Sequence, residues 1–196
     1  MGLYNAEISA GSLMLPESRR IAKLLLTHPS DAQWDSALKD ENLLQKKPGT
    51  ARRQARLIRN RLDTLDETGW KLVAEGDGEL ASQILMAASI RHSRLMGDFL
   101  RDVYALDIRR LETSLNHRQW EGFLAECEHR DALVREWAVS TKEKLFQVIV
   151  RILVEAKFLD SSRKLGLTPP MLHPTLIDYL KRLGDTETLA YMDFHQ

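Results

Sequence analysis

Apolar residues recur at three- and four-residue spacing through most of the chain, the period of helices with one buried face. The first twelve or so residues lack clear periodicity. Pro16 suits the first turn of a helix whose apolar face is Ile21, Leu24 and Leu25, and His28-Pro29 closes it. Ser30-Asp31-Ala32-Gln33 has the side chains of a capping box, so a second helix opens there with Trp34, Ala37 and Leu38 facing inward. Leu43 and Leu44 follow, and Pro48-Gly49 ends that segment. Thr50 then serves as the N-cap of a third helix, in which Ala51, Ala55, Ile58, Leu62 and Leu65 fall in one narrow stripe at about 100° per residue.

Beyond Asp66, the residues Trp70, Leu72 and Val73 predict a short helix before the Gly76-Asp77-Gly78 break. Asp77 caps a long helix carrying Leu80, Ile84, Leu85, Ala88, Leu95 and Met96. An interruption is expected at Gly97-Asp98, after which Phe99, Leu100, Val103, Leu106 and Leu111 resume the pattern. Asn116 through Gln119 is another cap, followed by Trp120, Phe123 and Leu124, and a further helix carries Leu133, Val134 and Trp137. Ser140-Thr141-Lys142-Glu143 reads as the strongest capping box in the chain. The helix after it places Leu145, Val148, Ile149, Ile152, Leu153 and Ala156 on one broad face and Lys144, Gln147 and Arg151 outside. Asp160 through Gly166 reads as a loop, and Pro169-Pro170 bars regular helix. Pro174 starts a short helix that buries Leu176, Ile177, Leu180 and Leu183, with Gly184 as its C-cap.

No alternating, β-branched run is bounded by hairpin turns, so the expected fold is all-α. It is a compact multi-helix bundle with helix-turn-helix-like elements near both ends, and a small hairpin within 158–173 is the main departure to look for. Residues 1–66 form an N-terminal three-helix lobe with a basic third helix; residues 67–196 form a helical body that includes the C-terminal helix-turn-helix-like element. Three consecutive helices, the last of them basic, is the order of a helix-turn-helix reader, although the connection before the third is longer than the usual tight turn.

Charge changes this picture most at residues 45–65. The stretch holds seven basic residues, Lys46, Lys47, Arg52, Arg53, Arg56, Arg59 and Arg61, against one acid, Asp63, in a chain that balances 28 Lys+Arg with 28 Asp+Glu. On the third helix Arg52, Arg53, Arg56 and Arg59, with Asn60, lie opposite the apolar stripe, while Leu57 and Arg61 belong to neither face. Arginine suits phosphate because its planar fork offers paired donors and keeps its charge. Cations in the first turn oppose the helix dipole at about 0.3–1 kcal/mol each, so Arg52 and Arg53 need another reason to be there. Nucleic-acid contact by Lys46, Lys47, Thr50, Arg52, Arg53, Arg56, Arg59 and Asn60 competes with the plainer reading of a solvated helix face. A second DNA surface is expected near the C-terminus from Lys144, Arg151, Arg163, Lys164, Lys181 and Arg182, diluted by Glu155 and Asp178.

Composition adds bounds. Hydrophobic content of 43% and charged content of 29% describe a folded soluble chain. The single cysteine, Cys127, allows no internal disulfide, fits a reducing cytoplasm and reads as a packing residue. The window from Leu145 to Leu159 is interrupted by Gln147, Arg151, Glu155 and Lys157, which argues against a bilayer span. No phosphate loop, dinucleotide fingerprint or nucleophile elbow is present, and the six histidines are scattered without metal-ligand spacing. A non-enzymatic protein without cofactor or metal is the expectation.

Three stretches together carry a resemblance: Gly11 through Leu26, Asn42 through Arg53, and Ser140 through Leu159, with Met96-Gly97-Asp98-Phe99-Leu100 between them. In order and spacing they resemble the BrxA family, a core component of the bacteriophage exclusion (BREX) defence systems of bacteria. The resemblance implies a small all-helical cytoplasmic protein that binds double-stranded DNA through helix-turn-helix-like elements. It further implies service beside a DNA methyltransferase and other BREX subunits; a monomer is expected. Two other readings stay open. One is a protein–protein adaptor within the defence complex, its basic helix meeting an acidic partner. The other is an RNA-binding helical bundle of the antitermination type, weakened by an aromatic content of 7% with none interleaved in 45–65.

Overall fold

The computed structural model describes residues 2–194; His195, one of the six histidines, lies outside them. A 3₁₀ turn at Glu7–Ala10 precedes α1 (Leu15–Leu25), α2 (Asp31–Lys39), α3 (Pro48–Leu62), α4 (Glu67–Glu75) and α5 (Gly78–His92). Then come α6 (Arg94–Phe99), a π-helical turn (Leu100–Tyr104), α7 (Ala105–Arg109) and α8 (His117–Arg130). A second 3₁₀ turn (Ala132–Glu136) leads to α9 (Val139–Glu155), α10 (Pro174–Arg182) and α11 (Thr186–Met192). The fold is all-α, and the only β pairing among the described residues is two isolated antiparallel bridges, Ser114 with Gly166 and Leu159 with Leu167. The hairpin foreseen within 158–173 is therefore present in minimal form.

Helix α5 is the hub. Its buried positions run almost unbroken from Leu80 to Ile90, so it is apolar all round rather than amphipathic. Helices α1, α3, α4, α6, α10 and α11 pack against it. One hydrophobic cluster extends from Tyr4 to Met192 through Ile58, Ile84, Phe99, Trp120 and Ile149. The expected face of α9 is buried at Leu145, Val148, Ile149, Ile152, Leu153 and Ala156. Each large aliphatic side chain there stabilises the fold by about 1.5–3 kcal/mol relative to exposure.

Caps at Ser30, Asp77 and Asn116 form as the sequence indicates, those at Ser30 and Asn116 as full capping boxes. Gly184 takes the left-handed conformation after α10, with φ 68°. Four local expectations are corrected. Helix α3 starts at Pro48 with Lys47 as N-cap, which leaves Thr50 inside the first turn; Pro48 lacks the N–H that an N1 position cannot bond anyway. Helix α9 starts at Val139, so Ser140 caps nothing, and Glu143 faces His117 instead. The break in the long central helix falls at Ser93, whose hydroxyl accepts from the amide of Met96. Gly97 and Asp98 stay helical because Asp98 is a buried anchor: Tyr4 Oη donates to its Oδ2 at 2.6 Å and Arg101 pairs with it at 2.9 Å. Finally, the helix expected around Leu133 and Val134 is only the 3₁₀ turn, with Val134 buried and Leu133 exposed.

Candidate nucleic-acid interface

Helix α3 buries Ala51, Ala55, Ile58 and Leu62 and turns Arg52, Arg53 and Arg56 into solvent, with Arg59 and Asn60 half-buried. It forms a ridge between two grooves. On the α2 side a recess of about 600 Å³ is lined by Trp34, Leu38, Ala55, Arg52 and Arg59. On the side of the N-terminal 3₁₀ turn a smaller one of about 180 Å³ is lined by Glu7, Ala10, Arg53 and Leu57. The guanidinium of Arg59 lies 4.5 Å from the centre of the Trp34 ring, a cation–π contact that fixes its direction.

Leu57 and Arg61, assigned to neither face by periodicity, are both buried. Leu57 packs under the N-terminal segment, and Arg61 reaches it with two bonds, to the carbonyl oxygens of Ser12 and of Gly11, the latter at 2.9 Å. Desolvation pulls the Arg61 guanidinium down to about 10, against the raising effect of Glu155, so it remains charged at neutral pH. Arg61 is thus a structural cation and no part of the exposed row.

Besides the local Asp63, the fold brings to this face acids from other elements, Glu7, Glu17 and Asp35. Glu7 lies 3.9 Å from Arg56, Asp63 3.9 Å from Arg59, and Glu17 3.2 Å from Lys46. Asp35 is held below the usual carboxylate range by its hydrogen bond to Lys39, with a smaller contribution from Arg52. Glu7 also lies 3.3 Å from His92, which burial and then the charge of Arg61 keep below the ordinary imidazole range. Among the described residues Lys47, Arg52 and Arg53 take part in no ion pair, and the contacts of Arg56 and Arg59 are long and exposed. Such pairs are typically worth only about 0–1 kcal/mol, so an incoming anion displaces them cheaply.

The second set does not gather in one place. Arg151 lines a recess with Ser162 and Leu165, beside the loop that carries the exposed Arg163 and Lys164, and Lys144 is exposed on the same helix as Arg151. Lys181 and Arg182 lie on α10, where Arg182 pairs with Asp66 at 3.0 Å and covers the Tyr179 ring at 5.3 Å. Of the two acids expected to dilute this set, Glu155 is spent on internal donors: Ser12 Oγ and the amide of Leu13 donate to it, both at 2.7 Å. Trp34 and Glu7 contact Arg59 and Arg56 on this face but are not among the expected contact residues, because nothing in residues 45–65 signals partners so distant along the chain.

No helix among the described residues is long and apolar enough to cross a membrane. The BrxA family model matches residues 2–184. The BREX protein BrxA of Paramagnetospirillum magneticum (strain ATCC 700264 / AMB-1) is 41% identical over 179 residues, covering 91% of this chain and 90% of that one. The BREX protein BrxA of Escherichia coli O9:H4 (strain HS) is 33% identical over 188 residues, covering 95% and 88%. A crystal structure of an uncharacterized protein from Magnetospirillum magneticum superposes with a TM-score of 0.91 at 36% identity, over 97% of this chain and 98% of that one. With the family model spanning nearly the full chain and relatives of that name at both 41% and 33% identity, the chain belongs to the BrxA family of the BREX phage-defence systems.

Proposed function

We propose that this protein is a non-enzymatic, double-stranded DNA-binding component of its defence system and that α3 meets the phosphate backbone. The observation that carries the reading is the row of exposed Arg52, Arg53 and Arg56 with the half-buried Arg59, presented opposite a buried stripe and braced at Arg59 by Trp34. Lys46, Lys47, Thr50 and Asn60 flank the row and extend it along the backbone. The order α1–α2–α3 supports a helix-turn-helix-like approach, with the long connection from residue 40 to residue 47 in place of a tight turn. Phosphate contacts of this kind position a duplex without reading its sequence.

The test is duplex binding at two salt concentrations, with single-stranded DNA and RNA as competitors. Four to six phosphate contacts predict a log–log salt slope of about −4 to −5. Preference for single strands or RNA would transfer the site to an antitermination-like reading. Absence of any nucleic-acid affinity would leave the protein–protein adaptor.

A further inference from the structure

In the small notch between α3 and the N-terminal 3₁₀ turn, the carboxylate of Glu7 stands among Arg53, Arg56, Leu57 and Asn60. Its two oxygens face different partners. Oε1 lies 3.9 Å from Arg56, and Oε2 lies 3.3 Å from Nε2 of His92, the last residue of α5. The Glu7 side chain is 44% exposed and that of His92 only 13%. His92 Nε2 is closed off from solvent and makes no hydrogen bond among the described residues. A carboxylate offers that nitrogen only lone pairs, so the pair closes fully when the ring is protonated.

Opposite effects meet at this ring. Burial and the Arg61 guanidinium of α3 hold it below the ordinary imidazole range, and Arg61 has its own countercharge in Glu155. Glu7 acts the other way, as does the C-terminal end of α5, where the helix dipole favours a cation. The neighbouring cations are turned elsewhere: Arg91 donates to the carbonyl of Thr64 and pairs with Asp185, and Arg94 of α6 faces Asp98. Glu7 is the solvent-facing member of this set. The turn that carries it is anchored by the buried Ile8, so its carboxylate can swing without moving the backbone.

We propose that the notch seats one backbone phosphate of the duplex between Arg53, Arg56 and Asn60, and that this phosphate drives the Glu7 carboxylate from Arg56 onto His92, which takes up a proton. The inference rests on α3 meeting a duplex and adds the regulation of that same site. Arg53 and Arg56 lie one turn apart on α3 and offer paired charged donors, with the Asn60 amide beside them. Phosphate and carboxylate repel each other across Arg56, so Glu7 leaves as the phosphate arrives, and the ring nitrogen is already within reach. Solvent supplies the proton, and no covalent bond forms or breaks at the phosphate. The free protein therefore holds the ring neutral at pH 7, and the bound protein, with the carboxylate against the ring, holds the proton to higher pH. Linkage then makes binding tighter as pH falls and weaker as pH rises through the imidazole range. Neither α2 nor α3 contains a histidine that would produce the same dependence.

The experiment measures duplex affinity of the full-length protein at pH 6, 7 and 8 at constant ionic strength. Calorimetric titration at pH 7 in two buffers of different ionisation enthalpy counts the protons taken up. Parent protein is compared with Glu7→Gln and His92→Gln, each checked for folding by circular dichroism. Parent affinity should rise about 5- to 10-fold from pH 8 to pH 6, with net proton uptake on binding. Glu7→Gln should bind at least as tightly as the parent at pH 8 and lose the pH dependence. His92→Gln should match the parent at pH 8 and lack the gain at pH 6; should it fail to fold, Glu7→Gln and the proton count decide. Duplex binding that is flat in pH without proton uptake overturns the relay and leaves the α3 reading standing. So does a pH dependence that either folded variant retains. A parent without duplex affinity at any of these pH values overturns the α3 reading and the relay with it.

Discussion

Arg61 and Glu155, from α3 and α9, grip successive groups of one short segment. The guanidinium takes the carbonyls of Gly11 and Ser12, and the carboxylate takes the hydroxyl of Ser12 and the amide of Leu13. A cation bonded to carbonyls and an anion bonded to an amide and a hydroxyl each satisfy backbone that has no helical partner. The N-terminal segment is thereby fixed between α3 and α9.

Arg61→Ala should be destabilising by about 2–4 kcal/mol, since it opens a cavity and orphans two buried carbonyls. Urea unfolding of Arg61→Ala beside Arg53→Ala would check this. The exposed Arg53 should change stability by no more than about 0.5 kcal/mol. Equal effects at the two positions would contradict the separation of structural from exposed arginines on α3.

Cys127 is fully buried, and desolvation pushes its thiol up to about 12. Burial likewise pushes Tyr179 up to about 12 and raises Tyr4 and Tyr104 further. In the unfolded chain these groups ionise at ordinary values, about 8.5 for the thiol and about 10 for the phenols. Above those values the unfolded state holds fewer protons than the native one, so stability is complete at lower pH and falls as pH rises through 9 and beyond. Melting temperatures measured from pH 7 to 11 should therefore drop, and iodoacetamide should label Cys127 only after denaturation. Rapid labelling of the native protein would refute the packing role. Cys127→Ser buries a hydroxyl in place of the thiol, so some loss of stability is expected with DNA binding retained in the folded protein.

Ile149→Asp puts a charge at the centre of the buried face of α9, where Ile149 has no exposed surface. An unpaired buried carboxylate costs enough to rival the whole stability of a domain this size. Loss of the cooperative thermal transition is expected by circular dichroism, and an unaltered melting temperature would sink the face assignment.

Helix positions and buried faces were legible because the 3.6-residue period and the caps at Ser30, Asp77 and Asn116 are local signals. The sequence reading failed where distant partners decide. Ser140 looks like a cap, yet Glu143 has His117 to pair with and the helix begins two residues earlier than a box would set it. Gly97-Asp98 looks like a break, yet Tyr4 and Arg101 stabilise the Asp98 carboxylate inside the bundle. The arginine row was visible on α3, but its acidic neighbours Glu7, Glu17 and Asp35 come from three other elements and could not be read from residues 45–65.

Those acids sharpen the expected behaviour of the α3 row. Arg56 has Glu7 at 3.9 Å, whereas Arg53 is outside every ion pair among the described residues, so Arg53 is free to meet phosphate and Arg56 must first exchange partners. Replacing Arg53 and Arg56 together by Gln should weaken all duplex sequences similarly and make the salt slope shallower by about 2. Folding should survive, because both side chains are exposed opposite Ala51, Ala55, Ile58 and Leu62. Glu7→Gln should act in the opposite direction, raising duplex affinity modestly by removing a negative charge beside Arg56; the gain should fade at high salt as screening takes over. A folded double variant with unchanged affinity and slope would remove Arg53 and Arg56 from the proposed site, and a base-dependent loss would make them readers rather than phosphate contacts.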